Sequence, residues 1–284
     1  MKFSEIDKVI VIDWMVYLKM SAYASMHTKM APTYIAMTMI LGDLKRVGVT
    51  PDTVVMVACD HEGSWRKEFI TATKEDRKEQ ESEFQKNLPS VYKDFDELKE
   101  RLKKATNWHI LQYSGIEADD WFGCAVRYFS VFGNVPTVAL TIDSDMSQLW
   151  RYDNFMWYSP HKKVKGFKVK PPKFNIHKHL AKEINTAGHN NLGIPKNEDE
   201  RKIKELCVDL TKQPQWVKNE CFLSLQTIEP RGKNPQALFS KTLIERYNNL
   251  YFSEDVMTYE QCEKKQLKKK LKKKSIAKTK KDVV

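Results

Sequence analysis

Four apolar runs rich in β-branched residues, at 8–12, 53–58, 108–113 and 135–142, constrain the fold of this chain more than any other feature. Each reads as a buried strand. Helical patterns fall between them. Residues 32–47 carry Ile35, Met37, Met39, Ile40, Leu44 and Val47, residues 90–105 form a second pattern, and 118–132 place Trp121, Phe122, Ala125, Val126 and Phe129 on one side. Strand alternating with helix predicts an α/β fold with a largely parallel central sheet flanked by helices.

The ends of these strands are acidic. The first run terminates in Asp13, the second in Asp60, and the fourth in Asp143 with Asp145 two residues on; the third passes through Ser114, Gly115 and Ile116 into Glu117, Asp119 and Asp120. In a parallel sheet all C-terminal strand ends lie along one edge, where open α/β folds place their sites. Taken singly, each acid is a common turn or N-cap residue, and acids in a helix's first turn suit its dipole. As a group they are harder to explain that way, because crowded like charges raise one another's pKa unless a cation neutralises them. Hard oxygen donors without clustered Cys or His select Mg²⁺ or Mn²⁺ over zinc. Two such ions about 3.5–4 Å apart form the clamp used for in-line phosphodiester hydrolysis.

The charge balance separates the chain into parts. It holds 48 Lys and Arg against 37 Asp and Glu, a formal +11. Residues 264–284 alone contribute +10 through eleven lysines and Asp282, so the rest is nearly neutral. That stretch, including Lys268, Lys269, Lys270, Lys272, Lys273 and Lys274, has almost nothing to pack and reads either as a phosphate-binding arm or as a solubilising terminus. A second basic segment carries Lys162, Lys163, Lys165, Lys168, Lys170, Lys173 and Lys178 with no acid, interleaved with Phe167 and Phe174. At 41% hydrophobic residues wholesale disorder is excluded. Cys59, Cys124, Cys207, Cys221 and Cys262 form no CxxC pair, so neither a disulfide framework nor a zinc ribbon is implied. No apolar run approaches the ~20 residues needed to span a bilayer. The opening residues do not begin a signal peptide, and the expectation is a soluble, cytoplasmic protein.

The order of these acids resembles the 5′-nuclease family: 5′→3′ exonuclease domains of bacterial DNA polymerase I, phage 5′-exonucleases, phage-type ribonuclease H and flap endonucleases. The matching pieces are Val9-Ile10-Val11-Ile12-Asp13, then Val57-Ala58-Cys59-Asp60 leading to Trp65-Arg66, then Lys74 and Arg77. Gly115-Ile116-Glu117-Ala118-Asp119-Asp120 and Thr141-Ile142-Asp143-Ser144-Asp145-Met146-Ser147-Gln148-Leu149 complete the set. The resemblance covers residues 1 to about 150. It implies a PIN-like 5′-nuclease core over 1–160 with a helical arch at about 64–100, a divergent, partly helical C-terminal subdomain over 161–260, and the basic tail over 261–284. It implies that Asp13, Asp60, Glu117 and Asp119 hold the catalytic metal, with Asp120 in or just outside that shell, and that Asp143 and Asp145 hold or support a second ion. Arg66, Lys74 and Arg77 match basic residues around the arch, with Lys74 steering the scissile phosphate. The implied substrate is DNA or RNA·DNA hybrid cut at 5′ ends or flaps, in a phage or bacterial setting.

The chain departs from the family pattern at several points. Thr73 stands where a tyrosine usually precedes the arch lysine, with Trp65 and Phe69 as nearby aromatics that could stack a base instead. Met20 stands where an arginine commonly follows the first Asp. Downstream, Gly188-His189-Asn190-Asn191-Leu192-Gly193-Ile194-Pro195 keeps the spacing of a G-D-x-x-D-N-I-P stretch but has His189 and Leu192 in place of the acids. Two other function classes therefore stay open: a nucleic-acid-binding accessory protein of the same fold without turnover, and a PIN-type ribonuclease acting on single strands. His177, His179 and His189 could suggest a metal, but alternating His on an edge strand or loop reads first as solvated, and His61 reads either as a phosphate contact or as an exposed loop residue. Trp150, Trp157 and Tyr158 read as core packing, and residues 198–225, with Ile203, Leu206, Leu210, Trp216, Val217, Phe222 and Leu225, as helical scaffold.

Overall fold

Strand β1 (Lys8–Asp13) is buried at every position, because the sheet around it is covered on both faces. The computed structural model describes residues 2–61, 63–69, 83–186, 193–229, 231–238 and 240–252. In it, β1 pairs in parallel with β2 (Thr53–Ala58) on one side and β4 (Thr137–Leu140) on the other. β3 (His109–Leu111) extends the sheet beyond β2, also in parallel. β5 (Phe155–Ser159) lies parallel to β4, and β6 (Gly166–Lys168) returns antiparallel along β5. The spatial order is β3-β2-β1-β4-β5-β6. The chain thus builds outward from β1 in one direction and then returns to build in the other, which makes the β1/β4 junction the topological switch point.

Alternate residues of β1 enter opposite cores. Ile10 and Ile12 join Tyr17 and Leu18 of α1 (Trp14–Ser25), Met37, Ile40 and Leu44 of α2 (Pro32–Val47), and Phe95, Leu98 and Leu102 of α3 (Glu83–Ala105). Val9 and Val11 join Trp121 and Phe122 of α4 (Ala118–Val126) and, through the C-terminal half of the chain, Cys207 of α6 (Glu198–Val208) and Val217, Cys221 and Leu225 of α7 (Gln215–Gln226). α5 (Ile176–Ile184) packs against the turn after β4, and α8 (Lys241–Phe252) adds Leu243 and Tyr247 to the first core. α6 and α7 thus share one core of the sheet and α8 the other.

Several boundaries differ from expectation for identifiable reasons. The pattern expected over 118–132 is an α-helix only to Val126 and continues as a π-helical turn, Arg127–Phe132. α3 begins at Glu83 and runs through Pro89, although proline removes one helical hydrogen bond and marks a natural place to start the pattern. His177 and His179 lie on α5 and not on an edge strand or loop. Asn175 caps that helix by accepting from the Lys178 N–H at 3.0 Å, and His179 Nε2 lies 3.2 Å from Ser147 Oγ. Trp157 and Tyr158 are core residues of β5, as expected. No helix among the described residues is long and apolar enough to cross a membrane.

Candidate metal and phosphodiester site

The acids at the strand ends are held by the elements they cap. Asp13 ends β1 and caps α1, accepting from the Val16 N–H at 3.1 Å through Oδ1 and from the Thr141 hydroxyl at 2.7 Å through Oδ2. Asp143 caps the short 3₁₀ helix Ser144–Arg151, accepting from the Asp145 N–H at 2.9 Å. Asp60 Oδ1 accepts from the Ala118 N–H at 2.8 Å, so it reaches across to the first turn of α4. Glu117 is the N-cap of α4, and its own N–H donates to Asp120 Oδ2 at 3.1 Å. The turn into α4 depends on Gly115, whose φ of 79° is a left-handed value open to glycine. The Gly115 carbonyl in turn accepts from the Trp65 N–H at 3.0 Å.

Electrostatics tie these groups into one site. Burial raises the Asp13 carboxyl to about 6; hydrogen bonds from Thr141 and Val16 partly offset this, and Asp60 and Asp143 push it further up. Asp119 is pushed well above the usual carboxylate range by burial first and by repulsion from Asp143, with Asp13 and Asp145 adding to the effect and Arg66 opposing it. Asp13, Asp60, Asp119, Asp143 and Asp145 thus sense one another across the β1/β4 switch point. Among the described residues no three His, Cys, Asp or Glu side chains are grouped as a ready-made cage for an ion. Like charges favour separation, and each of Asp13, Asp60, Glu117 and Asp143 accepts from a donor within the protein. In chemistry the donor set fits a hard divalent cation: carboxylate oxygens, two of them at raised pKa, which the charge of a cation would lower.

Two sequence expectations change here, those for Arg66 and Trp65. Arg66 is not an exposed basic residue but is buried and paired with the acids. Its Nη2 donates to Asp120 Oδ1 at 2.8 Å and its Nη1 to Asp120 Oδ2 at 3.1 Å and to Glu117 Oε2, while Nε donates to the Cys207 carbonyl at 3.1 Å. Asp120 is fully buried; its Oδ2 accepts from Arg66, the Trp65 indole N–H (2.9 Å) and the Glu117 N–H, and its Oδ1 accepts from Arg66 Nη2. Trp65 is itself 2% exposed, with the Arg66 guanidinium 4.5 Å from its ring centre, and cannot offer a face to a base. Lys74, Arg77 and Thr73 lie outside the described residues, as do His189, Leu192 and the lysines from Lys268 to Lys274.

The basic segment after β5 divides. Lys165 reaches inward to the wholly buried Asp43 (2.6 Å), which also accepts from Arg46 and Tyr17. Lys170 donates to the Trp150 carbonyl at 2.7 Å, and Lys168 sits over the Trp157 ring. The first of these lysines thus shares the Asp43 carboxylate with Arg46. Lys162, Lys163 and Lys173 are exposed.

A second group, missed from sequence, docks the backbone of residues 207–211 beside the site. Gln148 donates to the Val208 carbonyl at 3.0 Å and accepts from the Leu210 N–H at 3.1 Å. Arg151 pairs with Asp209 at 3.2 Å and donates to the Thr211 hydroxyl at 2.9 Å. Gly123 lets α4 approach this segment, since a Cβ there would lie 2.0 Å from the Leu210 oxygen. The two partners of Gln148 are backbone atoms, which carry no residue signature.

Comparison with known proteins agrees with this architecture. No curated protein matches the chain. Among solved structures, a bacteriophage T5 flap endonuclease in a pseudo-enzyme–product complex with DNA and metal ions aligns with a TM-score of 0.51 at 14% identity, covering 78% of this chain and 98% of that one. The T5 5′-exonuclease with bound zinc ions aligns with a TM-score of 0.51 at 13% identity, over 78% of this chain and all of the other. These likenesses establish a shared PIN-like fold. The sequence family described as the 5′-3′ exonuclease N-terminal resolvase-like domain matches residues 8–177, more than half of the chain. With its strand-end acids at the β1/β4 switch point, the chain belongs to that 5′-3′ exonuclease family.

Proposed function

We propose that this chain is a divalent-metal-dependent nuclease that hydrolyses phosphodiester bonds at 5′ ends or flaps of DNA or RNA·DNA hybrid. The observation that carries the reading is the set Asp13, Asp60, Glu117, Asp119, Asp143 and Asp145 along one sheet edge, with Asp13 and Asp119 raised by burial and mutual repulsion. Asp13, Asp60, Glu117 and Asp119 would hold one Mg²⁺ or Mn²⁺ ion, and Asp143 with Asp145 a second. Bound there, such ions supply Lewis-acid activation of water and charge stabilisation at the scissile phosphate. Thr141 and the Val16 N–H fix the direction of the Asp13 carboxylate, and the Ala118 N–H fixes that of Asp60. Lys74 and Arg77 would neutralise and orient the phosphate. The T5 relative with DNA and metal ions supports nucleic acid as the substrate class.

The test is cleavage with Mg²⁺ of 5′-labelled flap, nicked duplex, RNA·DNA hybrid and single-stranded RNA, beside an Asp143→Asn control. Cutting of the flap, nick or hybrid by the wild type, lost in the variant, supports the reading. Intact binding without cleavage of any substrate overturns it in favour of an accessory protein, a reading favoured by His189 and Leu192 standing in place of acids. Cleavage confined to single-stranded RNA would instead identify a PIN-type ribonuclease.

A further inference from the structure

Asp120 and Arg66 form a buried pair directly behind Glu117. Asp120 is fully enclosed, and its Oδ2 accepts from Arg66, from the Trp65 indole and from the Glu117 backbone, while its Oδ1 faces Arg66 Nη2. Arg66 is 5% exposed and is fixed on three further sides, by the Cys207 carbonyl, the Trp65 ring and the Glu117 carboxylate. The guanidinium cannot lose its charge, since the acids around it outweigh the cost of burial. One of its nitrogens, Nη1, is shared between Asp120 and Glu117. A cation at Glu117 therefore shares that carboxylate with the guanidinium, which holds Oε2 and repels a second positive charge. How strongly Arg66 competes depends on how much of its charge Asp120 already satisfies.

We propose that Asp120 is not a metal ligand but the counterion that restrains Arg66, and that Arg66, so restrained, is the positioning residue that leaves Glu117 available to a divalent cation. The inference rests on the proposed function for the identity of the ion, and concerns residues that touch the site from behind. Its distinctive consequence is a sign. If Asp120 ligated the metal, every substitution that removes it would weaken binding, with or without Arg66. If Asp120 restrains Arg66, then Asp120→Asn frees the guanidinium to take both oxygens of Glu117, and removing Arg66 as well restores the site. The double replacement also removes both buried charges together, a change that proteins tolerate far better than loss of one partner.

The experiment is isothermal titration of the full-length, metal-free chain with Mn²⁺ alone, for wild type, Asp120→Asn and Asp120→Asn/Arg66→Met, with thermal midpoints for each. We expect Asp120→Asn to weaken Mn²⁺ binding about tenfold or more, and the double variant to return to within about threefold of wild type. Arg66→Met alone, which leaves Asp120 buried without a cation, is expected to melt lowest, but the decisive comparison does not need it. A double variant that binds as weakly as Asp120→Asn, or more weakly, overturns the proposal while leaving the nuclease reading intact. An Asp120→Asn chain that binds as wild type overturns it as well. A wild type that neither binds Mn²⁺ nor cuts any substrate overturns the proposed function, and this inference with it.

Discussion

Asp13 serves as a cap and as a site residue with the same carboxylate. Its hydrogen bonds from Val16 and Thr141 hold the group still, yet burial outweighs them and lifts the pKa to about 6. A carboxyl whose pKa is higher folded than unfolded contributes stability that is complete below about 4 and is lost as pH rises through about 6. A rise from 3.8 to about 6 corresponds to about 3 kcal/mol in total, roughly half of it already lost at pH 5. In the metal-free protein, Asp13→Asn removes this dependence. The stability of the variant relative to wild type is therefore expected to rise by about 1.4 kcal/mol between pH 5 and pH 7.5, read from urea unfolding at the two pH values. Mn²⁺ should raise the wild-type thermal midpoint more at pH 7.5 than at pH 5, because at pH 5 protons already screen the site. An unchanged difference between the two chains across this range would show that Asp13 titrates as an ordinary carboxylate. At Gly115, alanine is expected to lower stability by about 1–2 kcal/mol, since φ is 79° and the new methyl would sit 3.1 Å from the Trp216 ring. A melting temperature equal to wild type would show that the turn before Glu117 can relax.

At the scale of elements, α4 is held between the sheet and the backbone of residues 207–211, and Gly123 is the point of closest approach. Helix propensity alone says that alanine at a helical glycine stabilises by about 1 kcal/mol. The contact says the opposite, because the added Cβ would lie 2.0 Å from the Leu210 oxygen and 2.7 Å from Gln213 Nε2. Gly123→Ala is therefore expected to destabilise by about 2–3 kcal/mol, measured as a lower urea midpoint; a higher midpoint would mean that the 207–211 segment moves aside freely. The same contrast explains what the sequence makes legible. β1, β2 and the acids that follow them are visible because apolar runs and charged ends are side-chain properties, and the burial of β1 on both faces agrees with its run of Val and Ile. The docking of residues 207–211 is invisible because Arg66 and Gln148 recognise carbonyls and an N–H that any residue would offer. α5 is misread because His177 and His179 alternate as strand residues do, while the Asn175 cap that sets the helix is one residue in a polar stretch. Arg66 is placed near the acids by its motif, yet nothing in the motif says that it points inward. That depends on Asp120 being buried opposite it.

At the scale of the whole molecule, charge and chemistry occupy different parts of the chain. The formal +11 resides almost entirely in residues 264–284, which contribute +10. Lys165, which composition would count toward substrate binding, reaches back to Asp43, a carboxylate it shares with Arg46. What remains near the sheet edge is a set of carboxylates that would repel a nucleic acid unless cations intervene. On the proposed function, capture of a polyanion would fall to basic groups apart from those acids, the terminal lysines being the largest group in the sequence. Binding through such lysines releases counterions, and the logarithm of affinity falls with the logarithm of salt by roughly 0.9 per phosphate neutralised on duplex. Removing residues 264–284 is accordingly expected to weaken substrate binding most at low salt and to flatten its salt dependence. Turnover at saturating substrate should persist, because none of the strand-end acids is lost. The measurement is a salt series of binding and cleavage on a labelled flap, full-length chain beside the truncation. Unchanged binding with an unchanged slope would reduce the tail to a solubilising terminus. Loss of turnover even at saturation would place the lysines within the reacting site and remove the separation between holding the substrate and cutting it.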